Sequence, residues 1–110
     1  MKANRYVKGM SALLALAGLM AVSQHASAHN PLCQCRNIAA GQVSCKGGFS
    51  DGSGAPGVTL DVVGYNEKTL VKGKLGANST LVFKRPAGEF YVVFDAGPGH
   101  VVEVDHTDIK

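Results

Sequence analysis

Residues 89–95 read Glu-Phe-Tyr-Val-Val-Phe-Asp, which is the clearest strand pattern in the sequence. It consists mainly of aromatic and β-branched residues, which favour strands over helices. The turn-forming residues Pro86-Ala87-Gly88 precede it, and Ala96-Gly97-Pro98-Gly99 follow it. Because Pro and Gly interrupt regular structure, we predict a strand over residues 89–95 with a tight turn at each end.

The sequence on both sides of this strand repeats the same pattern of short strands and turns. Apolar residues alternate with polar ones, as in strands with one buried face, and turn signals recur about every eight to twelve residues. No stripe of apolar residues at helical spacing is visible after residue 28. These observations predict an all-β fold, a small antiparallel β-sandwich. The other predicted strands cover residues 42–46, 58–63, 69–74, 79–84 and 100–104.

The chain divides into three segments. Residues 1–28 form a leader, described below. Residues 29–57 form an arm that contains every cysteine and ends in GGFSDGSGAPG, residues 47–57, which predicts a glycine-rich loop. Residues 58–110 contain the main strands of the predicted sandwich.

The leader has the three parts of a secretory signal peptide. Basic residues occur within the first eight positions, a nearly unbroken apolar run covers residues 9–22, and Ala26-Ser27-Ala28 supplies small residues for cleavage. The apolar run of about 14 residues is shorter than the roughly 20 that a membrane-spanning helix needs. We expect cleavage after Ala28 and export, most simply to the periplasm. The mature chain would begin at His29 and would not insert into a membrane.

Cleavage would also remove the charge imbalance of the chain. The full sequence has a formal net charge of +3, and Lys2, Arg5 and Lys8 lie in the leader. Removing 28 of the 110 residues leaves eight basic and eight acidic side chains. Without an excess of positive charge, we expect no electrostatic footprint for nucleic acid or anionic lipid, and no nucleic-acid partner.

Two histidines of the mature chain are candidates for metal binding. After cleavage, His29 would offer an α-amine and an imidazole that can close a chelate ring on one ion. His100 follows the turn at residues 96–99 and would add a second imidazole if the fold brings it to His29. Such nitrogen ligands suit nickel, cobalt, copper and zinc. The alternative is that cleavage leaves a histidine by chance at a frayed terminus. We interpret His106 as a solvated residue of a polar tail.

The three cysteines are open to two interpretations. In an oxidising compartment, Cys33, Cys35 and Cys45 would give one disulfide and one remaining thiol. A single residue separates Cys33 from Cys35, which is awkward for a bond between them, so one of the two would pair with Cys45. Cys35–Cys45 is the candidate disulfide. Alternatively, Cys33 and Cys35 act as thiolate metal ligands together with His29 and His100.

The chain also resembles two groups of known proteins. From Val58 to Val104, the order of strands and turns resembles modules of the transthyretin-like or carboxypeptidase-regulatory type, which implies an immunoglobulin-like or transthyretin-like sandwich but no single function. A second resemblance rests on the start at His29, the Cys-x-Cys at Cys33 and Gly97-Pro98-Gly99-His100. This combination resembles small periplasmic accessory components of nickel and cobalt uptake systems of the energy-coupling-factor type. It implies capture of a divalent metal for a membrane metal transporter.

We therefore predict a periplasmic protein that binds a divalent transition metal, nickel or cobalt first and copper or zinc next. An enzyme is not expected, since Ser50 and Ser53 lie in a glycine-rich loop with no histidine nearby in the sequence. The alternative function is a structural or adhesive β-sandwich that a disulfide reinforces and that has no metal role.

Overall fold

The structure is a computed structural model that describes residues 29–110. Seven strands form two antiparallel sheets that pack face to face as a small β-sandwich. The predicted fold class is therefore confirmed. The predicted leader, residues 1–28, lies outside the described residues. Within residues 29–110, no helix is long and apolar enough to cross a membrane.

The first sheet contains three strands in the order β1-β2-β5. Strands β1 (Pro31–Ile38) and β2 (Gln42–Phe49) form a hairpin, and β5 (Thr80–Lys84) pairs with the other edge of β2. A short 3-10 turn, Ala39–Gly41, connects the hairpin strands. This turn places Ala40 and Gly41 in the left-handed region, at φ of 63° and 68°.

The second sheet contains four strands in the order β4-β3-β6-β7. Its strands are β3 (Thr59–Gly64), β4 (Thr69–Lys74), β6 (Phe90–Asp95) and β7 (Val101–Asp105). A 3-10 turn, His106–Asp108, follows β7. The predicted strand over residues 89–95 is thus the inner strand β6, which pairs with β3 and β7.

The core lies between the two sheets and follows the period-two pattern of the strands. On β6, Phe90, Val92 and Phe94 are fully buried, while Tyr91 and Val93 between them lie on the outer face of the sheet. Burial of each such aromatic or β-branched side chain stabilises the fold by about 1.5–3 kcal/mol. The other buried hydrophobic residues are Val43, Cys45, Ala55, Leu60, Val62, Leu75, Phe83 and Ile109.

The N-terminal segment contains more strand than the sequence predicts. The predicted strand over residues 42–46 is part of a longer β2, and β1 lies beside it in the first sheet. The loop prediction for residues 47–57 is wrong at its start, because β2 continues through Gly47 and Gly48 to Phe49. Gly47 is required for close packing rather than for a turn. A Cβ atom there would lie 2.7 Å from side-chain carbons of both Leu75 and Phe94.

Candidate functional site

A shallow cleft of about 290 Å³ lies at one end of the sandwich. Antiparallel pairing places the start of β1 beside the end of β2, and the end of β6 beside the start of β7. The loops at this end therefore meet across the two sheets. The residues that line the cleft are His29, Phe49, Asp51, Ser53, Ala96 and His100.

His29 is held at this end by an extension of the β1–β2 ladder. The backbone amide of Asn30 donates to Ser50 Oγ at 3.0 Å, and the amide of Ser50 donates to the carbonyl of Asn30 at 2.9 Å. These two bonds fix the backbone of the residue that follows His29. The His29 imidazole remains about half exposed, and its Nδ1 lies 2.9 Å from Asp51 Oδ2.

Asp51 is the acidic residue of the cleft. Its Oδ1 accepts hydrogen bonds from the backbone amide of Ser53 at 3.0 Å and from Ser53 Oγ at 2.6 Å. These bonds stabilise the carboxylate and, with a smaller contribution from the nearby His29 imidazole, lower the pKa of Asp51. The cleft therefore holds an anionic oxygen pair next to an imidazole at neutral pH.

His100 reaches the cleft from the β6–β7 turn. In this turn, Gly97 and Gly99 have φ of 114° and 76°, a conformation that glycine adopts readily. The Nδ1 atom of His100 lies 3.1 Å from the carbonyl oxygen of Pro98. Because a carbonyl oxygen can only accept, Nδ1 is the donor, and Nε2 of the neutral ring keeps its lone pair. Histidines that bind metals commonly have this arrangement.

Two of the four predicted metal ligands thus lie in one cleft, and the two cysteines do not. Cys35 and Cys45 form a disulfide, with S–S 2.01 Å and Cα–Cα 4.1 Å. The candidate disulfide is therefore confirmed, and Cys35 has no thiolate to offer a metal. Cys33 has a free thiol that lies along the inner side of β1, outside the residues that line the cleft. Burial raises the pKa of Cys33 to about 11.

The side chains of the cleft do not form a complete metal site by themselves. Within residues 29–110, no three His, Cys, Asp or Glu side chains are grouped closely enough to hold an ion. A site here would need a donor besides the side chains of His29, Asp51 and His100. The α-amine that cleavage after Ala28 would expose on His29 is such a donor.

Asp51 was not singled out by the sequence analysis. It stands in the glycine-rich run Ser50-Asp51-Gly52-Ser53, which was interpreted only as a loop and as a poor setting for catalysis. The Asp-Gly-Ser order is a sequence signal for an Asp side chain that caps the backbone two residues later. That signal could have indicated a fixed carboxylate, although not its position beside His29.

A second polar and aromatic cluster lies at the opposite end of the sandwich. His106 is half-buried, with its ring centroid 5.6 Å from that of Tyr65 and 5.5 Å from that of Phe90. The Tyr65 hydroxyl donates to Asp105 Oδ1 at 2.5 Å. Our interpretation of His106 as a solvated residue thus misses its ring contacts, which keep it away from the cleft.

In comparisons with known proteins, no protein family, no curated protein and no solved structure matches this chain.

Proposed function

We propose that the protein is exported, binds a divalent transition metal in the cleft at His29 and passes it to a membrane metal transporter. Nickel and cobalt are the first candidates, and copper and zinc the next. The observation that carries this proposal is the meeting of His29, Asp51 and His100 in one cleft. Their positions are 22 to 71 residues apart in the sequence, and strand pairing brings them together.

Each cleft residue has a distinct role in the proposed site. The α-amine and Nδ1 of His29 would form a chelate ring, for which Nδ1 exchanges its contact with Asp51 for the metal. Nε2 of His100 would supply a third nitrogen. Asp51 would either bind the ion through Oδ2 or accept a hydrogen bond from a metal-bound water. Three nitrogen donors and a carboxylate suit Ni²⁺, Co²⁺, Cu²⁺ and Zn²⁺.

The openness of the cleft suits a carrier better than a storage protein. The side chains of His29 and Asp51 are 53% and 40% exposed, so an incoming ligand from a partner can reach an ion bound there. A carrier needs this access, because ligand exchange requires the donor and acceptor groups to contact the metal at the same time. We propose binding and transfer rather than catalysis.

Calorimetric titration with Ni²⁺, Co²⁺, Cu²⁺ and Zn²⁺ tests the proposal. The protein is purified after export from a host that expresses the full chain, and mass spectrometry establishes that it begins at His29. A variant that retains one extra residue before His29 keeps every side chain but converts the α-amine of His29 into a peptide amide. We expect this variant and His100→Ala to bind at least tenfold more weakly. If the extended variant binds the metal as tightly as the parent protein, the His29 amine is not a metal ligand.

His106→Ala is the matched control for His100→Ala. Both substitutions remove one imidazole, but His106 lies at the opposite end of the sandwich. We expect His106→Ala to leave metal affinity unchanged. If both substitutions weaken binding equally, the cleft is not the binding site.

The disulfide also supports a second candidate function, a structural or adhesive module. The Cys35–Cys45 bond joins the two strands of the N-terminal hairpin and would reinforce a domain of this size without any metal. This function predicts a melting temperature that does not change when a chelator or any of the four metals is added. The metal-binding proposal predicts a rise with the metal that binds most tightly.

A further inference from the structure

The outer face of the first sheet is positively charged. The register places Arg36 opposite Ser44 and Val82, with Lys46 one row above and Lys84 one row below. These three cations project from the face that points away from the core. Along their strands they alternate with buried residues of β2 and β5 and with half-buried residues of β1. The carboxylate of Asp108 borders this face beside the β1 edge.

The outer face of the second sheet is mainly acidic. In its central row, Asp61 and Glu103 lie on either side of Val93, and the neighbouring rows add Asp95 and Asp105. Its two cations, Lys72 and Lys74, lie together on the edge strand β4. The positive and negative charges of residues 29–110 cancel in number, but the fold places an excess of cations on one outer face and an excess of carboxylates on the other. The sandwich therefore has a dipole directed across its sheets.

Two exposed aliphatic residues accompany the cations on the first sheet. Leu32 is 52% exposed and Val82 is 47% exposed, and both lie on the same outer face as Lys46. A surface that combines cations with a few aliphatic side chains matches the interface of an anionic bilayer, where phosphates meet the upper part of the acyl chains.

We propose that the outer face of the first sheet docks reversibly on a bilayer surface that contains anionic phospholipids. Strand spacing and rise make the face about 15 Å by 25 Å, or about 400 Å². This is about half of the roughly 800 Å² per partner that a stable protein–protein interface buries. A protein partner would therefore be held weakly by this face alone. A bilayer needs no matching contour, and each basic residue near its surface contributes on the scale of about 1 kcal/mol.

The proposed orientation is compatible with the cleft but does not depend on metal binding. The cleft is formed at the end of the strands rather than on an outer face. Docking through the first sheet would leave His29 and His100 accessible from the side. The acidic second sheet would face away from the membrane.

Vesicle co-sedimentation tests this proposal on the exported protein with its N-terminus verified. The probes are vesicles of phosphatidylcholine alone and of an equimolar mixture with phosphatidylglycerol. We expect binding to the mixed vesicles only, and release as the salt concentration rises and screens the charges. Binding to both kinds of vesicle would indicate an apolar anchor, and absence of binding to the mixed vesicles at low salt would also overturn the proposal.

Two double variants locate the docking face. K46Q/K84Q and K72Q/K74Q each remove two lysines, from the first and the second sheet respectively. We expect K46Q/K84Q to bind mixed vesicles about tenfold more weakly or worse, and K72Q/K74Q to bind nearly as the parent does. Circular dichroism melting establishes that both variants fold.

Two further results would contradict the proposal. If both double variants bind mixed vesicles equally weakly, binding depends on the net charge of the protein and not on the outer face of the first sheet. Self-association of the parent protein without vesicles, abolished by K46Q/K84Q, would show that the basic face binds the acidic face of a second copy instead.

Discussion

At the scale of single residues, the geometry of the cleft depends on the side chains of Asp51 and His100. Each is held in place by a neighbouring group that is not itself a proposed metal ligand. Ser53 holds the Asp51 carboxylate through two hydrogen bonds, and the Pro98 carbonyl fixes the ring of His100. Supporting groups of this kind set the orientation and basicity of metal ligands. Substitution of a supporting residue should therefore change the orientation or basicity of a proposed ligand without removing it.

Ser53→Ala tests this dependence for Asp51. The substitution removes the hydroxyl bond, the largest cause of the lowered pKa, and leaves the backbone bond in place. We expect the pKa of Asp51 to rise towards its ordinary value, which NMR titration of the carboxyl carbon would measure. An unchanged titration midpoint would contradict this role of Ser53.

The tyrosine cluster at the other end predicts how stability depends on pH. Hydrogen bonds, first from Thr107 and then from Tyr65, lower the pKa of Asp105 to about 2. A lowered pKa contributes stability at pH values above the ordinary pKa of about 4, and this contribution is lost as the pH falls through about 2. Tyr65→Phe should raise the pKa of Asp105, so acid unfolding should begin at higher pH.

The pKa shift of Tyr65 is in the opposite direction, so its contribution to stability is lost at high pH rather than at low pH. Its bond to Asp105 raises the pKa of Tyr65 to about 12, because ionised tyrosine could not donate to the carboxylate. This contribution is present below the ordinary pKa of about 10 and is lost as the pH rises through about 12. Tyr91→Phe is a useful comparison, since Tyr91 donates to Glu67 and not to Asp105. Acid unfolding that is the same in the Tyr65→Phe variant and the parent protein would contradict the assignment.

At the scale of elements, strand β1 shows what the sequence pattern could and could not predict. Five of the predicted strands match observed strands to within one residue at each end, and the predicted strand over residues 42–46 is the first part of β2. Strand β1 was missed because Cys33 and Cys35 were interpreted as chemical groups. As small apolar residues, they alternate with the polar residues Gln34 and Arg36, and this pattern predicts a strand with one inward face.

Removal of the disulfide separates its structural role from a role in metal binding. Chain-entropy arguments assign about 2–3 kcal/mol to a crosslink that spans ten residues. We expect C35A/C45A to lose about this much unfolding free energy in denaturant titrations and to keep the metal affinity of the parent. Cys33→Ala, which leaves the disulfide intact, is the control. A loss of metal affinity in either variant would indicate that the cysteines take part in metal binding.

Gly47 tests whether β2 continues into the glycine-rich run. Its missing Cβ leaves room for Leu75 and Phe94, so Gly47→Ala should destabilise the protein by about 1–3 kcal/mol through overpacking. Gly88→Ala is the matched control, because a Cβ there meets nothing within 4 Å. Thermal unfolding measures both variants. Equal stability of the two would mean that residue 47 does not pack as the structure shows.

At the scale of the whole molecule, two properties could not be predicted from the sequence. The first is the cleft. The sequence indicated that His29 and His100 could bind one ion, but these residues meet only because the start of β1 and the β6–β7 turn, which belong to different sheets, lie at the same end of the sandwich. The second is the separation of charge, because the net charge of zero for residues 29–110 does not indicate which face each residue occupies. Both properties arise from strand order, which period-two patterns leave undetermined.

The central claim is that His29 and His100 bind the same metal ion. Long-range proton–nitrogen NMR spectra of the histidine rings, recorded while diamagnetic Zn²⁺ is added to a chain that begins at His29, test it. We predict that the ring nitrogens of His29 and His100 shift together and reach completion at one equivalent, while those of His106 stay in place. Shifts of equal size at all three rings, or none at His29 and His100, would contradict it.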